Sequence, residues 1–176
     1  RKGSTPIFFT TKGFADVLDM QKEMRYDIYD LHAKEVTHLV PKLLRYEIDE
    51  RIDGDGNIIK HIDIKTLEKQ LQLLKNNHEL SSNHSVAICL LHSYINPTHE
   101  NIVRDIIKYY FPMVNISLSH EISPLIREYE RMSTTICNSY IQPLANEYIN
   151  NIENHLKINK YKSPLRLMLS SGGITS

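Results

Sequence analysis

The sequence predicts an α/β fold: a mainly parallel sheet flanked by helices, with one antiparallel hairpin inserted. Three observations carry this. The chain opens as strand, turn and helix, because Pro6 to Thr10 reads as a strand and Thr11-Lys12-Gly13 turns it into a helix with Phe14, Val17 and Leu18 on one side. His84 to Tyr94, HSVAICLLHSY, is a nearly continuous apolar run of the kind found in strands buried on both faces. Strand and helix patterns then alternate to the end of the chain, which favours parallel pairing through right-handed crossovers.

The other elements follow in order. After a polar stretch through Glu35, residues 39–64 (LVPKLLRYEIDERIDGDGNIIKHIDI) alternate and break at Asp53-Gly54-Asp55-Gly56-Asn57, the pattern of a β-hairpin. Asp63 caps a helix whose Leu67, Leu71 and Leu74 form an apolar stripe. Asn96 caps the next helix, with Pro97 at its first position and Ile102, Val103, Ile106, Ile107 and Tyr110 on its buried face. Residues 113–119 (MVNISLS) read as a short strand. From about Pro124 to Ile158 the pattern is helical, and Pro143 marks a kink or a break. Leu144, Tyr148, Ile152 and Leu156 read as the core stripe of the second half, and residues 165–169 (LRLML) close as a strand.

Composition bounds the function. With 176 residues, the chain is one domain or one and a half, long enough to bury about 70% of the surface its unfolded form exposes. Lys+Arg 21 against Asp+Glu 21 leaves no net charge, so the footprint of a nucleic-acid binder is missing. No apolar run approaches the roughly eighteen residues that span a bilayer, and RKGSTPIFF lacks a signal segment, so a cytoplasmic protein away from membranes is expected. Cys89 and Cys137 lie in apolar and helical patterns and read as two small buried hydrophobes rather than a disulfide framework or a zinc site.

Three stretches suggest chemistry. Asp53-x-Asp55-x-Asn57 resembles half of a calcium loop, but Ile58 stands where glycine is required and Ile64 where the bidentate acid is required. A hairpin turn accounts for it. The nine histidines show no zinc spacing, so no metal site is assigned. His92, ending an apolar strand where α/β sites lie, is kept as a candidate. On a helix through residues 123–140, Arg127, Glu130, Arg131, Thr134 and Asn138 share one face, while Tyr129, Met132, Ile136 and Tyr140 share the opposite one. Two readings stand open: a solvated face with pairs at i, i+3, or the wall of a polar cleft whose Arg binds an anion, whose Glu accepts a proton and whose Thr and Asn fix amide groups. The terminal LMLSSGGITS runs a strand into Gly172-Gly173, where backbone N–H groups can approach a phosphate.

Six blocks, TTKGFADVLDM, RYDIYDL, LVPKLLRYEIDERIDGDGNI, AICLLHSYINPTHE, SLSHEISPLIREYERMSTTICNSYIQPL and SGGITS, together resemble the hydantoinase A / 5-oxoprolinase family in the same order. Tyr26 stands where that family often has Pro, and Ser171 where it often has Asn. The resemblance implies a ribonuclease H-like fold of the actin, acetate kinase and sugar kinase superfamily. It also implies that the chain is an interior piece, with residues 1–122 the later part of the family's N-terminal domain and 123–176 the opening of the hydantoinase A domain. The family's glycine-rich first phosphate loop would precede Arg1, so ATP and Mg²⁺ are implied for the whole protein and none bound by this stretch alone. The implied activity is ATP-dependent ring opening of a cyclic amide, of the 5-oxoproline or N-methylhydantoin type, by phosphorylation of the substrate. ATP-dependent carboxylation of a ketone is the alternative within the family, and a non-catalytic α/β module that binds a partner is the alternative outside it. A hydantoinase B-type subunit or fused domain is the implied partner. The implied near-site residues are Arg127, Glu130, Arg131, Thr134 and Asn138, with Gly172 and Gly173 toward the nucleotide and Thr11, Lys12 and His92 behind them.

Overall fold

The computed structural model describes residues 3–22, 29, 32, 37–77 and 84–175. In chain order the elements are β1 (Thr5–Thr11), α1 (Val17–Met20), a 3₁₀ turn (Lys42–Leu44), β2 (Arg45–Ile48), β3 (Arg51–Ile52), β4 (Ile58–Lys60), α2 (Ile64–Asn77), β5 (His84–Cys89), α3 (Thr98–Tyr110), β6 (Asn115–Leu118), α4 (Ser119–Ile122), α5 (Glu128–Ile158), β7 (Leu167–Met168) and β8 (Ile174–Thr175). Most of the polar stretch between Lys22 and Thr37, with Tyr26 in it, lies outside the described residues. The chain forms two compact units, Arg1–Pro143 and Leu144–Ser176.

The first unit is built on a four-stranded sheet of order β2-β1-β5-β6, and every pairing in it is parallel. Successive residues of a strand point to opposite faces, and both faces are covered. Ile7, Phe9, Val86 and Ile88 pack with Leu67, Leu71 and Leu74 of α2 and Val103 and Ile107 of α3. Phe8, Ala87 and Cys89 pack on the other side with Leu18, Val40, Met132 and Ile136. Double coverage is why β5 reads as an unbroken apolar run.

Residues 45–48 are not half of a hairpin. They form β2, parallel to β1 with Phe8 opposite Arg45 and Thr11 opposite Ile48, and only β3 and β4 form the hairpin. Alternation marks a strand but does not say which edge it joins, and the misreading followed from that. The Asp53–Asn57 turn consumes its own carboxylate: Asp53 Oδ1 accepts from the amides of Asp55 (3.0 Å) and Asn57 (2.8 Å), and Oδ2 from Asn57 Nδ2 (3.1 Å). Gly56 supplies the positive φ, +87°.

Asp63 caps α2, its Oδ1 accepting from the Thr66 amide (3.2 Å) and its Oδ2 from the Thr66 hydroxyl (2.7 Å). At α3, Asn96 Oδ1 accepts from the Thr98 amide (3.1 Å), Val103 and Ile107 are buried, and Ile102 is exposed. The apolar run after His84 is strand only to Cys89, and residues 91–95 form a turn in which His92 has φ +54°.

α5 continues through Pro143. Proline lacks the N–H that would bond the carbonyl four residues back. Ser4 Oγ takes that place, donating to Ser139 O at 2.9 Å, while the Ser4 amide donates to Tyr140 O at 3.0 Å. Ser85 Oγ, in turn, bonds both Ser4 Oγ (2.7 Å) and Ser139 Oγ (2.9 Å). In the second unit Leu144 and Tyr148 are exposed rather than core. The sheet there is the two-residue pairing of β7 with β8. So short a hairpin offers no apolar face for the helical stripe to bury against.

Candidate functional site

In open α/β sheets, ligands gather at the carboxyl ends of the strands. Two buried carboxylates stitch those ends together here. Glu100, in the first turn of α3, accepts through Oε1 from the Leu90 amide (2.9 Å) and the Ser119 hydroxyl (2.6 Å), and through Oε2 from the His120 amide (3.2 Å) and His120 Nδ1 (2.6 Å). Ser93 Oγ donates to Ser119 Oγ at 3.0 Å, since the Ser119 hydroxyl is spent on Glu100. The ends of β5 and β6 are thus held by one side chain. Glu50, just past β2, accepts from the Thr11 hydroxyl through Oε1 and from His99 Nδ1 (2.6 Å) through Oε2. Thr11 Oγ1 in turn accepts from the Leu91 amide (3.0 Å). His99 Nε2 is buried with no hydrogen-bond partner among the described residues. Glu100 with four donors and Glu50 with two are compensated for burial by hydrogen bonds, so these groups rigidify the loops.

The other sheet face meets the first turn of α5. There an open cavity of about 540 Å³ is lined by Phe14, Val17, Lys22, Arg127, Tyr129 and Glu130, among others. The Lys22 ammonium lies 2.8 Å from Glu130 Oε1 and, by this bond first, holds the Glu130 carboxyl below its ordinary range. Arg51 stacks over the Phe14 ring, 5.6 Å from its centroid. The cavity therefore joins two aromatic walls to cations of both kinds and two carboxylates, Glu128 and Glu130, a lining able to hold a small planar ligand with a polar edge.

The sequence candidates divide among several places. Arg127 and Glu130 share the cavity wall. Thr134, one turn on, is exposed and returns its hydroxyl to Glu130 O (2.7 Å). Asn138, another turn along, donates to Ser117 Oγ (2.9 Å). Arg131 does not belong to the open face: it is 0% exposed. The buried stripe of the helix runs through Arg131, Met132, Thr135, Ile136 and Ser139, centred about a quarter turn from where the apolar residues alone put it. Thr135 and Ser139 are small polar residues that pack well once satisfied, as Thr135 is by Arg131 O (2.7 Å) and Ser139 by Ser85. Among the reserve candidates, Thr11 is buried in the Glu50 network. Lys12 is exposed, with its amide on Ile48 O (2.9 Å). His92 Nδ1 donates to Ile52 O (2.8 Å), tying the turn after β5 to the hairpin. Gly172 and Gly173 sit in the turn between β7 and β8, where the Gly172 amide donates to Leu169 O (2.9 Å) and Gly173 O accepts from the Leu169 amide (2.7 Å). Cys89 is buried as expected, and burial pushes its thiol up to about 11, whereas Cys137, on the outer side of α5, is exposed rather than buried.

Sequence reasoning missed Glu50, His99, Glu100 and His120. A signal was present. An Asp or Glu within a few residues of a predicted strand's carboxyl end, or in the first turn of the helix that follows, stands where loop amides need an acceptor.

Among the described residues no helix is long and apolar enough to cross a membrane. The profile described as the hydantoinase/oxoprolinase N-terminal region matches residues 1–111, and the one described as hydantoinase/oxoprolinase matches residues 131–176. The chain is similar to an uncharacterised protein of Methanocaldococcus jannaschii, 40% identical over 168 residues that make up 95% of this chain and 24% of that protein. It is similar to 5-oxoprolinase of Saccharomyces cerevisiae, 31% identical, over 99% of this chain and 15% of the yeast protein. It is also similar to caprolactamase of Pseudomonas jessenii. The alpha subunit is 30% identical over 93% of this chain and 23% of its own length, and a crystal structure of the ATP-dependent enzyme matches with a TM-score of 0.85 and 29% identity, covering 98% of this chain and 25% of that one. The chain thus spans a quarter or less of these relatives. Its parallel sheet between helices is part of a fold of the actin-like, ribonuclease H type. With a matching profile over most of its length and that fold beneath it, the chain belongs to the hydantoinase/oxoprolinase family.

Proposed function

We propose that the protein containing this chain opens a cyclic amide at the expense of ATP, and that the cavity at the first turn of α5 takes part in holding the substrate. The observation that carries this reading is that Arg127 and Glu130 both line one cavity of about 540 Å³ at the start of α5, in a chain of this family. Phosphoryl transfer to the amide oxygen gives an O-phosphorylated imidate. Water adds to its carbon, the ring C–N bond breaks as the nitrogen takes up a proton to leave an acyl phosphate, and a second water releases phosphate and the carboxylate. Arg127 can orient the oxygen that takes the phosphoryl group, while Glu130, held ionised by Lys22, can accept a proton. Thr134 and Asn138 continue that face away from the cavity.

Gly172 has φ +89° and nothing within 4 Å of where a Cβ would stand, so the turn has room for a phosphate and these two glycines are the residues proposed to approach the nucleotide. Magnesium is a different matter. No group of three His, Cys, Asp or Glu suited to a metal occurs among the described residues, so no step is assigned to Mg²⁺ within this chain. Residues 1–122 and 123–176 are proposed as the end of one family domain and the start of the next. A hydantoinase B-type subunit or fused domain is proposed as the partner, and the cytoplasm as the compartment.

The test is ATP turnover by the full-length protein with 5-oxoproline, a hydantoin and a ketone, alone and with Arg127→Ala or Glu130→Ala. Each substitution is expected to lower kcat/KM on the cyclic amide about a hundredfold, about 2.7 kcal/mol of transition-state stabilisation, with the melting temperature nearly unchanged. Unchanged kcat/KM would return these residues to ordinary solvated surface, and turnover with the ketone alone would replace ring opening by carboxylation.

A further inference from the structure

Arg131 is among the largest fully buried side chains of the molecule. Its Nε donates to Cys89 Sγ (3.3 Å), one terminal nitrogen to Leu90 O (2.7 Å) and the other to Leu125 O (2.9 Å), and its Cζ lies 5.2 Å from the centre of the Tyr94 ring. No carboxylate pairs with it among the described residues. A buried cation is costly unless hydrogen-bonded, and an aliphatic side chain of similar volume would fill the space at lower cost. What the guanidinium offers instead is geometry. Its donors lie in one rigid plane, so satisfying two carbonyls at once fixes the separation of the chains that bear them. Those chains are the end of β5 and the segment joining α4 to α5. Two residues past Leu125 the same segment reaches Arg127, the first of four consecutive residues on the cavity wall.

We propose that Arg131 is a positioning residue that touches no ligand: it pins the segment before α5 to the end of β5 and thereby sets where Arg127 and Glu130 stand. The Tyr94 ring over its face extends the pin to the turn after β5. This inference does not depend on which reaction the cavity serves.

The experiment is amide hydrogen exchange on the full-length protein, read by mass spectrometry, together with alkylation of Cys89 by N-ethylmaleimide under native conditions. In Arg131→Gln, peptides covering 123–133 are expected to exchange at least about tenfold faster and Cys89 to become alkylated, while peptides from 136–143 of the same helix and from β1 change less than about twofold. Arg131→Lys keeps the charge but can serve fewer carbonyls, and is expected to fall between. A uniform rise across 123–133, 136–143 and β1 would mean that Arg131 only stabilises the fold, and unchanged exchange in 123–133 would mean that it pins nothing. Either overturns the proposal. Should both variants fail to fold, the unmodified protein at low denaturant decides. The Leu125 and Arg131 amides must then open together with β5, and local opening more than about a hundredfold faster than β5 overturns the proposal.

Discussion

Up to Ser139, α5 buries Met132 and Ile136 with Phe8, Ala87 and Cys89 of the sheet, and with them the polar Arg131, Thr135 and Ser139. Beyond Pro143 the same helix leaves Leu144 50% and Tyr148 67% exposed. The apolar spacing is similar in the two halves, so spacing does not decide burial. A packed sheet face does. Ion pairs differ in the same way. In the first unit the Arg45 side chain is 2% exposed and grips Asp19 with two bonds, 2.9 and 3.0 Å. In the second, Lys157 and Glu153 stand 3.6 Å apart on the helix surface, both well exposed, where such pairs contribute little.

The largest expected break in this comparison is Met132→Ala. Emptying a fully enclosed site on the sheet should cost about 2–5 kcal/mol in urea unfolding. A loss below about 1 kcal/mol would mean that the buried half packs no better than the open half. Next comes Ser4→Ala, which deprives Ser139 O of the donor that stands in for the missing Pro143 amide. A cost of about 1 kcal/mol is expected. Pairing Ser4→Ala with Pro143→Ala sharpens this, because restoring the amide at position 143 should recover much of the loss, and additive effects would refute the link.

Tyr148→Ala in the 176-residue chain should change stability by no more than about 0.5 kcal/mol. In a longer protein carrying this sequence, a cost near that of Met132→Ala would show that the second half of the helix is covered there. The smallest effect concerns acid. The hydrogen bond from Arg45 holds the Asp19 carboxyl below its ordinary value of 3.8. Its contribution is therefore complete above about pH 4 and is lost as pH falls through the lowered folded value. Asp19→Asn should lose less stability than the unmodified chain between pH 5 and pH 2 (about the carboxylate range), as urea midpoints across that range would reveal. Parallel curves would remove Asp19 from the account.

The α/β class, the parallel alternation, the cap at Asp63, the start of α3 within a residue of Pro97, the stripe of Leu67, Leu71 and Leu74 and the family itself were legible in the residues alone, because each depends on periodicity, local hydrogen bonding or motif order within a few turns of chain. That Arg127 and Glu130 fall on one side of the helix start was legible in the same way, from helical spacing. Tertiary structure decided the rest. β2 joined β1 rather than β4, since an alternating strand carries no label for its partner. Arg131 turned inward although it shares the angular sector of Arg127, since two carbonyls from distant segments, at Leu90 and Leu125, waited there for donors. Glu50 and Glu100 became the clasps of the strand ends because segments 39 and 19 residues away in the chain placed donors around them, the Thr11 hydroxyl on Glu50 and the Ser119 hydroxyl on Glu100. A side chain's hydrogen-bond capacity is written in the sequence, but its partners are set by which backbone groups the packed fold leaves unsatisfied nearby.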